Sequence, residues 1–325
     1  AQELPVPVGQ WREHLPYNSA IDLAAGNTRV FCATPYSLFS VQLNEPVIER
    51  FSRVTGLSET GISTICMNEN RDKLLVAYNN SNLDILLNGR VYNIPDIKRD
   101  NIPGDKTIYR AYALQKYFYL ATGLGVIVVD AERYEIKDSW LIGNAGNPVK
   151  VTGFSSDAGF YYAATSEGLK KAALSSSNLA DYQNWQTIPS TTGAVQVVNA
   201  GTAMLLQKND SLFIQNGNDW SLFYRDGWPL ISCEVSEQKI LLCERQINGT
   251  SRVVILNNNG TVSRILDNTG AVSFPRKTIL VNNEPWVADQ YAGLSRVANS
   301  NAYSNYSPAS PQAVGSGEML TGNGN

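Results

Sequence analysis

The sequence predicts an all-β fold, a seven-bladed β-propeller of four-stranded antiparallel blades closed by the N-terminal strand. Three observations predict it. A short apolar run ending in a small residue recurs seven times. The runs stand at near-constant spacing, and Gly, Asn and Asp mark the turns between strand-like segments. Taking Ala33, Ala77, Ala121, Ala164, Leu206, Cys243 and Ala288 as markers, the intervals are 44, 44, 43, 42, 37 and 45 residues. A period of 40–45 residues with strand composition is that of a propeller blade. Helical repeats of that length would carry a 3.6-residue apolar stripe, and none of useful length is present.

The runs follow in order. They read VFCAT at 30–34, LLVAY at 74–78, YLAT at 119–122 and YYAAT at 161–165. Then come MLL at 204–206, ILLC at 240–243 and PWVA at 285–288. In the third unit, residues 108–113 form an inner strand, 117–122 the second, 125–130 the third and 135–142 the outer one. Gly-Leu pairs follow several second strands, at Gly123-Leu124, Gly168-Leu169 and Gly293-Leu294. Glycine there gives the hairpin its positive φ, and leucine returns the chain to the core.

A ring of sheets has to close, because an open edge pairs with strangers. The seventh unit looks short of an outer strand. The segment QWREH at 10–14 resembles the outer strand read at DYQNWQT, 181–187. The expectation is that it completes the last blade, with Trp11 as its buried anchor. Residues 1–9 are read as the leader of the mature chain and 10–298 as the propeller. The Ser-, Asn- and Pro-rich residues 299–325 are read as a polar linker towards a further domain.

Composition narrows the function. Hydrophobic residues are 43% of the chain and charged residues 17%, enough for a large core. Lys plus Arg is 26 against 29 Asp plus Glu, a net charge of −3, which argues against nucleic acid as the main partner. No apolar run is long enough for a membrane helix. The start Ala1-Gln2-Glu3 fits an exported chain that has lost its signal, or a start set by cloning. Cys32, Cys66, Cys233 and Cys243 lie in apolar runs and read as buried free thiols, with Cys233 and Cys243 the best-placed disulfide candidate.

Catalytic chemistry is thin. His14 is the only histidine and reads as structural. A serine triad would need it beside a nucleophile, and without a second histidine or a Cys-x-x-Cys pair no zinc site is expected. Gly56-Leu57-Ser58-Glu59-Thr60-Gly61 has its second glycine one place too far for a nucleophile elbow and reads as an inter-blade turn. Gly123-Leu124-Gly125 is followed by a strand, not by the helix a dinucleotide loop needs. Asp84, Asp96, Asp100 and Asp105 read as solvated loop acids. The chain is therefore expected to be no enzyme, with no cofactor and no metal.

Basic residues carry more. Lys106, Arg110, Lys150, Arg276 and Lys277 fall at the starts of three inner strands, and those starts share one rim. They are expected to present cations to an anionic glycan or phosphate, unless they pair with nearby acids such as Asp105. Trp228 and Tyr291 are the aromatics read as candidates to face a ligand.

Longer stretches resemble one family. WREHLPYN at 11–18, GLSETGIS at 56–63, LLVAYNNSNLDIL at 74–86, NIPDIKRDNIPGDK at 93–106 and YLATGLGVIVVDAERYEI at 119–136 are similar to the first propeller of the PorZ family of type IX secretion components. The resemblance spans about residues 10–300 and is stronger in the first half. It implies a non-catalytic scaffold on the outer, extracellular face of the outer membrane. There it would support the sortase PorU beside PorV and PorQ and bind anionic lipopolysaccharide. More broadly, the units look like the propeller repeats of hybrid two-component sensors. A periplasmic sensing propeller is thus the second reading, and a polysaccharide-active enzyme the third.

Overall fold

The computed structural model describes residues 15–217 and 219–308. Among them are seven four-stranded antiparallel sheets, each built from four consecutive strands. The inner strands are Asp22–Ala25, Ile62–Met67, Ile108–Leu114, Val151–Ser156, Ala194–Asn199, Leu230–Ser236 and Pro275–Val281. Blades 1 to 7 are named after them in that order. The predicted fold class and blade number hold.

Every repeat marker lies on the second strand of its blade and is buried. That strand is sandwiched between neighbouring blades on both faces. It therefore has no solvent face and reads as an unbroken apolar run. The core is accordingly divided into clusters between sheets. Between blades 3 and 4, Tyr119, Trp140, Phe154, Tyr161 and Trp185 pack together. The Tyr119 and Phe154 rings stack at 5.0 Å, and the Tyr119 and Tyr161 hydroxyls lie 2.9 Å apart. Such pairs add about 0.5–1.5 kcal/mol each beyond the area they bury.

Turn chemistry sets the hairpins. Asn88 (φ 49°) and Gly89 (φ 76°) form the left-handed pair that joins the third and outer strands of blade 2. Gly125 (φ 144°) is required twice over, because a Cβ there would lie 2.2 Å from the Trp140 carbonyl oxygen.

Closure of the ring departs from expectation. The fourth strand of blade 7 is Tyr303–Tyr306, paired antiparallel with Gly293–Val297. It takes the place expected for residues 10–14, which lie, with Trp11 and His14, outside the described residues. The propeller thus runs past the 298 boundary. Residues 299–302 make a hairpin turn in which Asn301 has φ 63°. The strand was hidden because a blade's outermost strand faces water and needs no apolar run. Ser295 Oγ donates to Asn305 Oδ1 at 2.6 Å, and the Tyr306 ring stacks on Trp286 at 5.3 Å.

Blades 1 and 7 meet through packed side chains and a backbone hydrogen bond. Tyr17, Ala20 and Leu23 share a cluster with Ile279, Trp286 and Ala288. The Ala20 amide donates to the Asp289 carbonyl at 3.1 Å.

Two further expectations change. Within residues 181–187 a 3-10 turn occupies Tyr182–Asn184, and only Gln186–Thr187 is strand. Asp84 is buried, not solvated. It accepts Ser58 N and Oγ, the Tyr78 hydroxyl and Asn93 Nδ2. All four cysteines are free. Cys233 pairs with Leu242, so Cys243 is one register step away and faces the opposite side of the sheet.

Candidate functional site

The seven inner strands run in one direction and enclose a central channel of about 750 Å³. Their first residues define one rim, here the leading rim. Four charged groups on the channel wall form two ion pairs.

Asp22 opens the blade 1 inner strand and is 6% exposed. Its Oδ1 accepts Lys277 Nζ of blade 7 at 2.7 Å. Its Oδ2 accepts Thr64 Oγ1 at 2.7 Å and the Ile65 amide at 2.9 Å, both of blade 2. One carboxylate therefore ties three blades. Burial works against its charge, but the Lys277 ammonium and the donated hydrogen bonds hold the carboxyl below the ordinary aspartate value. Burial likewise disfavours the Lys277 ammonium. Attraction to Asp22, and then to Glu234, outweighs it and raises the lysine above its usual range.

Arg110 of blade 3 donates to Glu234 of blade 6 at 3.0 Å, a bridge between blades on opposite sides of the channel. Lys277 and Arg110 are thus compensated by acids, as the alternative reading of the basic residues expected, although the acids are Asp22 and Glu234. Asp105 accepts the Thr107 amide and the Tyr109 hydroxyl, and these bonds, with a smaller pull from the nearby Lys150 ammonium, hold its carboxyl below the ordinary value.

The other three basic residues sit differently. Lys106 donates to the carbonyls of Ile97 and Asp100 and so ties down the loop before blade 3. Lys150 is exposed, with its ammonium 4.3 Å from the Tyr109 ring centre. Arg276 is exposed on the channel mouth, 5.1 Å from the Phe274 ring centre. The five candidates share a rim region without forming one patch. Arg110, Arg276 and Lys277 line the channel, while Lys106 and Lys150 lie outside its lining.

Sequence reasoning missed Arg245, which ends the second strand of blade 6 and lies 4.3 Å from the same Phe274 ring. The only signal was the aromatic placed directly before Arg276. It also missed a polar knot at the edge of blade 6. There Arg252 bridges Glu244 (2.6 Å) and Asp226, with its guanidinium 4.0 Å from the Trp228 ring centre. Trp228 therefore covers an arginine. Burial, only partly offset by Arg252, pushes the Glu244 carboxyl up to about 7.

Ser58 lies in the turn between blades 1 and 2, hydrogen-bonded to Asp84. Among the described residues no group of His, Cys, Asp or Glu gathers in metal-holding geometry. No helix among them is long and apolar enough to cross a membrane.

Fold and site define a seven-bladed propeller whose central channel is crossed by one ion pair, with a second pair joining neighbouring blades at its wall, and whose leading rim carries cations and aromatics. The family described as "TSS9, PorZ, N-terminal beta-propeller domain" matches residues 30–186, from the second strand of blade 1 through the outer strand of blade 4. Among solved structures, the chain is similar to PorZ, an essential bacterial surface component of the type-IX secretion system of Porphyromonas gingivalis. The TM-score is 0.78 at 20% identity, covering 93% of this chain and 39% of that one. This chain thus spans about two fifths of the length of that protein. It is also similar to the extracellular domain of the hybrid two component system BT3049 from B. thetaiotaomicron. There the TM-score is 0.64 at 12% identity, covering 90% of this chain and 41% of that one. A chain of the mitotic checkpoint complex matches with TM-score 0.63 at 11% identity, over 90% and 97% of the two chains. Identities this low establish the fold alone. No curated protein matches by sequence. Resemblance to PorZ is found in both the family and the structural comparison, and the family match names its N-terminal propeller.

Proposed function

We propose that the chain is a non-catalytic binding module of the type IX secretion attachment machinery, exported to the extracellular face of the outer membrane. In this reading it supports the sortase PorU in company with PorV and PorQ, needs no cofactor, and turns its leading rim towards anionic lipopolysaccharide. The single observation that carries the reading is the family match over residues 30–186, which takes in most of four consecutive blades. The rim supports it in kind. Arg276 is exposed over the Phe274 ring with no ion pair among the described residues, and Lys150 is exposed over the Tyr109 ring, near enough to Asp105 to help hold that carboxyl low.

Crosslinking of the full-length protein to its neighbours on intact cells is the test. Adducts with PorU, PorV or PorQ at the cell surface are expected. Adducts confined to periplasmic or inner-membrane proteins would overturn the reading. Anion binding is tested separately with a Lys106/Arg110/Lys150 triple alanine variant and a Lys150/Arg276 double alanine variant. If both hold anionic lipopolysaccharide as the unaltered protein does, the rim is not the contact.

A further inference from the structure

We propose that the seam between blades 6 and 7 at the leading rim is a built receptor for one phosphate or carboxylate group borne on a sugar, held by Arg245 and Arg276. This deepens, and rests on, the reading of the rim as an anionic-glycan surface. It names a place that the five sequence candidates only touch.

The two guanidiniums come from different blades and converge on one ring. Arg245 Cζ lies 4.3 Å and Arg276 Cζ 5.1 Å from the Phe274 ring centre. Neither has an ion-pair partner among the described residues, whereas Arg110, Arg252, Arg296 and Lys277 all do. Arg245 Nε is buried and donates to no acceptor among the described residues. An orphaned buried donor on a charged group is costly, and such groups are normally satisfied by a partner or a bound ion. The neighbouring Glu244 cannot serve. Adjacent residues of a strand project to opposite faces, and Glu244 faces Arg252. Guanidinium forks match the planar oxygen pairs of phosphate and carboxylate.

The aromatic wall is held in place before any ligand arrives. Asp289 is fully buried and accepts four backbone amides. Two are from Ser273 and Phe274, at 2.7 and 2.6 Å. The other two are from Tyr291 and Ala292, at 2.8 and 2.7 Å. One carboxylate so fixes the loop that carries Phe274 to the turn that carries Tyr291. The two rings stand 5.7 Å apart, and Tyr291 is 63% exposed. An exposed, rigidly seated tyrosine beside an anion pocket offers a flat face to the sugar ring that bears the anion. Preorganisation of this kind lowers the entropic cost of binding.

The test uses the full 325-residue chain. Inorganic phosphate, glucose 1-phosphate and glucuronate are titrated while the arginine Nε–H signals are followed by NMR. Anionic lipopolysaccharide binding is measured in parallel. Glucose 1-phosphate is expected to shift the Arg245 Nε–H signal. Arg276→Ala, which alters an exposed side chain, should weaken that binding at least about tenfold, as loss of one charge-assisted hydrogen bond implies. Arg245→Lys, which keeps the charge but not the fork, should weaken it similarly. Tyr291→Ala should weaken glucose 1-phosphate and leave inorganic phosphate unchanged.

An Arg245 signal unmoved by all three ligands overturns the proposal, as does wild-type affinity in both arginine variants. If those variants lose nothing while the unaltered protein binds lipopolysaccharide, the seam fails and the rim reading stands. If sugar phosphate shifts Arg245 but lipopolysaccharide does not bind, the seam stands and the glycan reading fails.

Discussion

Replacing Asp22 by alanine removes the one carboxylate that joins blades 7, 1 and 2. In its place Lys277 is left as a largely enclosed ammonium without its hydrogen-bonded anion, with only the more distant Glu234 to attract it, and Thr64 Oγ1 and the Ile65 amide each lose an acceptor. Breaking one side of an enclosed ion pair costs about 3–5 kcal/mol, because the remaining charge stays desolvated. With an unfolding entropy of ~2.1 cal/mol/K per residue, that lowers the melting temperature of a domain of this length by about 5–8 °C. Calorimetry at pH 7 is the assay. The double variant Asp22→Leu/Lys277→Met is the control, since removing both charges together leaves neither member of the pair as an uncompensated buried charge, although Thr64 Oγ1 and the Ile65 amide still lose their acceptor. It should recover most of the loss. A melting temperature within about 1 °C of wild type for Asp22→Ala, or a double variant as unstable as the two single losses added, would refute the claim that this pair holds the ring shut. The pH dependence follows from the shifts. Asp22 is held below its ordinary value, so its contribution is complete above about pH 4 and lost as the pH falls further. Lys277 is held above its ordinary value, so its contribution is present below about pH 10 and lost on strong alkalinisation.

Three other outcomes are expected. Glu244, pushed up to about 7, stabilises the fold below its ordinary 4.5 and loses that contribution as the pH rises through about 7. Wild type should therefore melt lower at pH 8 than at pH 5 by more than Glu244→Gln does, and parallel pH profiles would count against the buried acid. Gly125→Ala places a Cβ against the Trp140 carbonyl at a φ of 144° and should cost about 3 kcal/mol in denaturant titration. Arg110→Ala should cost less than about 1 kcal/mol, because Arg110 is about one third exposed to the water of the channel and Glu234 keeps the attraction of Lys277. A loss as large as that of Asp22→Ala would mean the cross-channel bridge, not the closure pair, carries the ring.

Much of the fold was legible because second strands have no solvent face. Ala77, Ala121 and Ala164 mark runs that must be apolar throughout, so their recurrence counts the blades without any structure. Outer strands carry no such obligation. Tyr303–Tyr306 reads as linker, because an edge bathed in water is specified by pairing with Gly293–Val297 and by single contacts such as Tyr306 on Trp286. The pull towards residues 181–187 as a pattern failed for a related reason. Trp185 is buried, but the residues before it turn as a 3-10 helix.

The site divides along the same line. The sequence by itself determined that cations gather at the starts of inner strands, since strand order and direction follow from the repeat. Which of them are free was decided only by tertiary structure. Arg110 and Glu234 are 124 residues apart and Asp22 and Lys277 are 255 apart, and each pair meets only because the ring brings distant blades together. Arg245 and Arg276, on different blades, share the Phe274 ring for the same reason. Local pattern reports burial and turn geometry, which depend on near neighbours. Charge compensation falls off within a few ångströms in space and is indifferent to separation along the chain.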